Sequence, residues 1–181
     1  MFKEILISLR AILVLTVITS IAYPLLITGI AQLAFPSQAN GSLVRSGDQI
    51  IGSELLAQKF TAAKYFWPRP SAADYGTVAS GASNQGFTSK KLLDAITERR
   101  ATLGENAPAD LLTTSGSGLD PDISPEAAHY QIARVAAARN LPTKTVEMLV
   151  DHKTLGPQLG FLGQPRVNVL ALNRALDAAS R

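Results

Sequence analysis

The sequence predicts an α+β domain, or a small α/β domain, preceded by one N-terminal transmembrane helix. Residues 11–35 form an apolar run without a single Asp, Glu, Lys or Arg. Residues 36–181 have a mixed composition and are long enough for one hydrophobic core. Within them, several segments with helical spacing are mixed with a few short strand-like segments. We therefore divide the chain into a cytoplasmic N-terminus at residues 1–10, a span at 11–35 and one extracytoplasmic domain at 36–181.

The apolar run is long enough to cross a lipid bilayer. At about 1.5 Å per residue, a helix over this run reaches roughly 37 Å, against about 30 Å for the hydrocarbon core. Lys3 and Arg10 precede the run, and the next charged residue after it is Arg45. Because basic residues beside a span stay cytoplasmic, we predict a single-pass protein with its N-terminus inside the cell and the residues from about Pro36 onward outside. A cleaved signal peptide is the alternative, although its apolar region is typically about 7–15 residues long.

Polar and small residues inside the span predict a contact with another helix. Pro24 removes one helical hydrogen bond, which predicts a kink near Tyr23. Thr28 and Gly29 lie close by, and hydroxylic or small residues commonly face a partner helix. These four residues are candidate contacts with a partner, and a tether that touches only lipid is the alternative.

The first part of the domain contains one strand pattern, one short helix pattern and two irregular segments. Gln49–Gly52 is a strand candidate, and Ser53 is placed to cap a short helix that ends at Phe60. Residues 65–70, YFWPRP, combine three aromatic residues with two prolines and are not helical. Residues 74–86 are rich in Gly, Ser and Asn, which predicts a long irregular loop.

The second part of the domain is predicted to be mostly helical. The signals are N-cap residues, apolar positions at helical spacing, and glycine or proline after the helix. They predict helices from Thr88 or Ser89 to just before Gly104, from Ser124–Pro125 to about Asn140, from Thr143 to about Lys153, and from Asn168 onward, with Leu170, Leu172 and Leu176 on the last apolar face. Leu111–Thr114 is a second strand candidate.

The composition argues against several classes of function. The chain has no cysteine, which excludes disulfides, thiolate catalysis and cysteine metal ligands. Residues 37–181 contain 15 Lys plus Arg and 13 Asp plus Glu, so a nucleic-acid partner is not expected. Glu126 and His129 have the i, i+3 spacing of helical metal sites, and Asp120 and Asp122 could add ligands, but such sites need the Glu–His pair twice.

No catalytic motif is complete in this sequence. Residues 81–86 miss the nucleophile-elbow spacing by one residue, and no glycine-rich segment is followed by the Lys-Ser/Thr pair of a phosphate loop. We therefore expect no catalytic residue, no metal ligand and no directly bound cofactor. A membrane-anchored binding or assembly domain is favoured, and a membrane-tethered hydrolase or solute-binding domain is the alternative.

An ordered series of motifs covers nearly the whole chain. It comprises Tyr23–Gly29, Gly52–Leu55 with Phe60, Tyr65–Ala72, Ala79–Asn84, Pro108–Leu111, Thr114–Pro121, Gln131 with Arg134–Arg139, and Phe161–Leu170. In this order the motifs resemble the KdpC family, the C subunits of the bacterial Kdp potassium-transporting P-type ATPase. Gln164 stands where the family usually has an acidic residue, and we assign it no role.

The resemblance implies a non-catalytic accessory subunit of a four-protein pump in the inner membrane. In that pump a channel-like subunit binds potassium, a P-type ATPase subunit hydrolyses ATP, and a small single-span subunit completes the complex. The family is described as assembling or stabilising the complex, and as a catalytic chaperone that raises the ATP affinity of the catalytic subunit. Because ATP is cytoplasmic, we expect coupling through the span or the channel-like subunit without direct ATP contact.

We expect the external domain to lie over the potassium entrance. Rigid aromatic groups and adaptable polar groups suit such an interface. The candidate contacts are Tyr65, Phe66, Trp67 and Arg69 in the aromatic–proline segment, and Ser80, Ser83 and Asn84 in the loop. For Phe66 and Trp67, burial in the core is the alternative.

Overall fold

The computed structural model describes residues 1–179 and contains two compact units. The first unit is Met1–Leu43, and the second begins at Val44. The first consists of α1 (Phe2–Thr16), a π-helical turn (Val17–Ala22), α2 (Tyr23–Ala34) and the short α3 (Pro36–Ala39). The continuous helix Phe2–Ala34 is long and apolar enough to cross a membrane, and it begins nine residues before the predicted run.

The predicted disturbance at Pro24 takes the form of the π-helical turn just before it. The N–H group of Tyr23 donates to the Ile18 carbonyl, five residues back. Pro24 follows directly and has no N–H group to donate to the preceding turn. The chain therefore accommodates the proline by widening one turn of a continuous helix.

The second unit mixes helices with two small antiparallel sheets, as the α+β prediction requires. A hairpin is formed by β1 (Leu43–Ser46) and β2 (Gln49–Ser53). The other sheet has the order β3-β5-β4, with β3 at Asp122–Ile123, β4 at Thr154–Leu155 and β5 at Arg166–Asn168. The helices are α4 (Lys90–Leu103), α5 (Ala109–Leu112), α6 (Pro125–Arg139), α7 (Thr143–Lys153) and α8 (Val169–Ala179).

Helices α6, α7 and α8 contribute most of the hydrophobic core. Their fully buried side chains include Val135, Val146, Val150, Leu172 and Leu176. Two of the predicted caps are in place, because the Ser124 hydroxyl accepts from the Ala127 N–H group at 3.1 Å and the Asn168 amide oxygen accepts from the Ala171 N–H group at 3.0 Å. Asn140 ends α6 in the left-handed conformation with φ 53°.

Two predicted elements are wrong. The short helix from Ser53 to Phe60 does not form, since the Ser53 hydroxyl accepts from the Leu55 N–H group at 3.1 Å and holds a turn. Leu111–Thr114 is not a strand, because Leu111 and Leu112 belong to α5 and are both buried. A four-residue segment with only two apolar residues has too few positions to separate helical from strand periodicity.

Candidate functional site

Residues 62–70, the anchored segment, run along helices α6 and α8 and are held by two side-chain amides. The Asn173 amide accepts from the N–H group of Phe66 at 2.8 Å and donates to its carbonyl at 3.0 Å. The Gln131 amide does the same for Trp67, at 2.8 and 3.1 Å. Both amides are almost fully buried. They therefore provide the paired hydrogen bonds that a neighbouring β-strand would otherwise supply.

Two arginines of α6 bind the backbone carbonyls just before these amide pairs. Arg134 donates to the carbonyls of Ala63 and Tyr65 at 2.6 and 3.0 Å, and Arg139 donates to that of Lys64 at 2.7 Å. Burial lowers the pKa of Arg134 to about 10, so the guanidinium stays charged at neutral pH. Three successive carbonyls are thus fixed by charged donors, which make stronger hydrogen bonds than neutral ones.

The aromatic side chains of the anchored segment have different environments. Phe66 is completely buried in the core, so the core alternative holds for this residue and it presents no surface to a partner. Trp67 is half-buried, its ring lies 3.8 Å from the Arg134 guanidinium, and its indole N–H donates to the Ala62 carbonyl at 3.1 Å. The Tyr65 hydroxyl donates to Asp177 at 3.2 Å.

The predicted polar contacts Arg69, Ser80 and Ser83 bind groups within the domain. Arg69 pairs with Asp120 at 3.3 Å. The Ser80 hydroxyl donates to the Ser117 carbonyl at 2.9 Å, and that of Ser83 accepts from the Thr114 hydroxyl at 3.1 Å. The bonds of Ser80 and Ser83 attach residues 74–89, an irregular loop, to the turn at residues 114–118. Asn84 is exposed and adopts a φ of 52°.

A groove of about 470 Å³ separates the anchored segment from α4. Its walls include Trp67, Pro68, Pro70, Tyr75, Arg99 and Leu103. The Tyr75 hydroxyl donates to the Arg69 carbonyl at 2.9 Å, and burial raises the pKa of this phenol, which is therefore neutral at physiological pH. The groove combines apolar walls with polar and charged groups such as Glu98 and Arg99, which suits an amphipathic side chain of a partner protein.

The sequence analysis missed several exposed apolar side chains. Val78 and Phe87 lie in the 74–89 loop and are 103% and 98% exposed. Leu159 and Phe161 are also exposed, on a tight turn closed by two hydrogen bonds between Gln158 and Leu162. One sequence pattern could have identified these residues: each is a large apolar residue inside a segment that is otherwise rich in Gly, Ser and polar residues.

The residues considered as metal ligands make other contacts. His129 faces Asp151 of α7 at 3.1 Å. Asp120 and Asp122 lie beside Arg69 and Arg166 in a pocket of about 420 Å³. Across residues 1–179, no group of three or more His, Cys, Asp or Glu residues has an arrangement that could hold a metal ion.

Asp122 is expected to make the fold less stable as the pH rises through its pKa. Burial raises the pKa of the Asp122 carboxyl, although bonds from Asn168 and the charge of Arg166 oppose this effect. Because the fold disfavours the charged form, stability is highest below the unfolded pKa of about 3.9 and declines up to the folded pKa. We expect Asp122→Asn to flatten this decline in thermal unfolding between about pH 3 and pH 7. Parallel pH curves for the two proteins would contradict this assignment.

One protein-family model covers nearly the whole chain. The matched range includes the anchored segment, almost all of the helices that bind it and most of the apolar N-terminal helix. The model of the family described as KdpC: K+-transporting ATPase, c chain matches residues 5–178. The chain belongs to the KdpC family. A protein of Bradyrhizobium diazoefficiens named potassium-transporting ATPase KdpC subunit is 50% identical, with 99% of each chain covered.

Other relatives in the KdpC family show the same extent of similarity. A KdpC subunit of Pseudomonas aeruginosa is 51% identical, with 100% of each chain covered. One of Caulobacter vibrioides is 54% identical over 90% of this chain and 87% of its own length. The likeness therefore includes the apolar helix as well as the folded domain.

Proposed function

We propose that this chain is a non-catalytic accessory subunit of a Kdp-type potassium-transporting P-type ATPase. The observation that carries the proposal is the KdpC family match over residues 5–178. Relatives of nearly the same length, with half of their residues identical, are named as KdpC subunits. No contact among the described residues favours the alternative of a membrane-tethered hydrolase or solute-binding domain.

The proposed subunit crosses the inner membrane once and has its domain on the periplasmic side. The Phe2–Ala34 helix supplies the span. Lys3 and Arg10 near its N-terminal end favour a cytoplasmic N-terminus. Its partners are the potassium-binding channel-like subunit, the ATP-hydrolysing subunit and the small single-span subunit. The complex handles both ATP and potassium, and any effect on ATP affinity passes through the span or the channel-like subunit.

The surface proposed to contact the channel-like subunit consists of the 74–89 loop and the groove beside Trp67. The amides of Gln131 and Asn173 hold the groove wall rigidly, so little conformational entropy is lost on binding. Val78 and Phe87 expose large apolar side chains on this loop, and their burial against a partner would be favourable. This surface is the part of the domain that we place over the potassium entrance.

Purification of the tagged full chain from cells that express the pump tests the proposal. In a mild detergent we expect three further chains, of the sizes of a channel-like subunit, a P-type ATPase and a small single-span peptide. Identification of these chains by mass spectrometry would support the assignment. Recovery of the chain alone, with the pump subunits present in the same membranes, would refute it.

A double variant with Val78→Glu and Phe87→Glu tests the proposed contact surface in the same purification. Both side chains are fully exposed, so the charges should not disturb the fold, but they would be buried against the partner. We expect the yield of the bound channel-like subunit to fall about tenfold or more, which corresponds to about 1.4 kcal/mol or more. Lys144→Glu on the exposed face of α7 is the control and should retain the partner. Equal recovery from the double variant and the control would exclude this surface.

A further inference from the structure

The connection between β4 and β5 carries a small apolar tip. This apolar tip is residues 158–162, and Gln158 and Leu162 pair with each other at its base. Leu159 and Phe161 are 83% and 75% exposed, and Leu162 is about half exposed. Single apolar residues are common on protein surfaces, but three of them on one short turn form a concentrated patch. The apolar tip is therefore a candidate contact surface separate from the one assigned to the channel-like subunit.

Leu159 adopts a backbone conformation that leucine rarely takes. Its φ is 52°, in the left-handed region where a side chain crowds the following carbonyl group. Gly160 also has a positive φ, of 83°, but glycine takes this conformation freely. Asparagine or glycine would fit position 159 with less strain, so the turn geometry does not account for a leucine. The leucine therefore points to a role for its exposed side chain.

The backbone of the apolar tip satisfies most of its own N–H groups. The N–H groups of Gln158 and Leu162 each donate to the carbonyl of the other residue at 2.8 Å. The Gly160 N–H group donates to the Pro157 carbonyl, and the Phe161 N–H group to the Gln158 carbonyl, both at 3.2 Å. Four of the five N–H groups of the tip thus need no acceptor from outside the turn.

The exposed apolar residues of the 74–89 loop differ in this respect. Within residues 1–179, the N–H groups of Val78 and Phe87 make no hydrogen bond. Water or a partner protein offers them acceptors, whereas the apolar part of a bilayer does not. The backbone bonding therefore suits the 74–89 loop to a protein contact and the apolar tip to lipid.

The charges near the apolar tip also favour a membrane surface. No acidic residue occurs from His152 to Leu176, a stretch that contains Lys153, Arg166 and Arg174. Asp122 pairs with Arg166 at 3.1 Å, whereas Lys153 and Arg174 have no carboxylate partner among residues 1–179. Apolar side chains beside basic residues, without acidic ones, are typical of segments that lie in a bilayer interface.

We infer that the apolar tip inserts into the surface of the bilayer that holds the N-terminal helix of the same chain. Leu159 and Phe161 then lie at the boundary between headgroups and acyl chains. Residues 35–42 alone separate the Phe2–Ala34 helix from β1, so this tether keeps lipid at a high local concentration around the domain. The contact gives the domain a second attachment to the membrane. It rests on the span in the proposed function and needs no other pump subunit.

Fluorescence of labelled chains in lipid nanodiscs tests the inference on the full chain without pump subunits. The chain has no cysteine, so Phe161→Cys and Phe87→Cys each accept one apolar aromatic label. The nanodiscs contain equal amounts of phosphatidylcholine and phosphatidylglycerol. Burial of one leucine and one aromatic group favours the inserted form by about tenfold or more, so iodide should quench the label at position 161 about tenfold less than the label at position 87. Nitroxide-labelled lipids should quench the label at position 161 and not the label at position 87.

Equal iodide quenching at the two positions would overturn the inference. A label at position 161 that is shielded only after pump subunits are added would also overturn it, because the occupant would then be a protein. Leu26→Cys within the helix separates this inference from the proposed function. Lipid quenching at position 26 with none at position 161 would refute the tip contact and leave the proposed function in place. No lipid quenching at position 26 would refute the span, and the tip contact with it.

Leu159→Asn in the Phe161→Cys chain provides a second test. Asparagine tolerates the left-handed conformation better than leucine, so the turn should be at least as stable. The same change removes an apolar side chain from the lipid contact, and we expect iodide quenching at position 161 to rise about fivefold or more. Urea unfolding checks that the domain remains folded. Unchanged shielding in the folded variant would contradict the insertion of Leu159.

Discussion

Replacing Asn173 by leucine is expected to lower the free energy of unfolding by about 4 kcal/mol. Leucine has a similar volume, so the main loss is the pair of bonds to the Phe66 backbone. The N–H and carbonyl groups of Phe66 would be left buried without partners, each at about 1–3 kcal/mol. Single-domain stabilities are about 5–15 kcal/mol in total, so the variant domain would be close to unfolding at moderate temperature.

Urea unfolding of the full chain in detergent micelles measures this loss. Trp67 is the single tryptophan of the chain and lies in the anchored segment, so its fluorescence reports on the domain separately from the apolar helix. Asn106→Leu is the matched control, because Asn106 is exposed, and a change within about 0.5 kcal/mol is expected. A loss below about 1 kcal/mol in Asn173→Leu would show that these amide bonds do not anchor the segment.

Phe66→Ala is expected to cost about 4 kcal/mol of unfolding free energy. The side chain is completely buried among residues of the hydrophobic core, so its removal loses the transfer free energy of the ring and leaves a cavity. The same urea titration gives the value. Phe87→Ala removes an identical ring from full exposure and should change the stability by less than about 0.5 kcal/mol.

These two phenylalanine variants also separate core packing from partner contact. We expect Phe66→Ala to reduce stability and Phe87→Ala to reduce recovery of the channel-like subunit. A stable Phe66→Ala protein that no longer binds the pump would reverse the assignment of Phe66 to the core.

The sequence predicted best those features that depend on neighbouring residues. Ser124 before Pro125 and Asn168 before an apolar repeat are local cap signals, and both helices begin where these signals stand. The strand at Gln49 likewise follows from a local apolar pattern. By contrast, β3 and β5 have two and three residues and form only because they pair with each other across the chain. Such pairing leaves almost no periodic signal.

The anchored segment shows why the candidate site was only partly predictable. The two prolines excluded a helix correctly, but the hydrogen-bond partners of Phe66 and Trp67 lie 107 and 64 residues further along the chain. Gln131 and Asn173 are polar residues within apolar helix faces, and a sequence does not specify which distant backbone they meet. For the same reason, composition alone left the location of Phe66 undecided.

The anchored segment is held through its main-chain groups. Its exposed positions should therefore accept substitutions that the residues binding them do not. Gln131, Arg134 and Asn173 bind backbone carbonyl and N–H groups, which every residue except proline possesses. Exchanging Ala63 or Lys64 for other non-proline residues would leave those bonds in place. A mutational library over the domain should therefore tolerate diverse residues at the exposed positions 63 and 64 while admitting few at Gln131, Arg134 and Asn173.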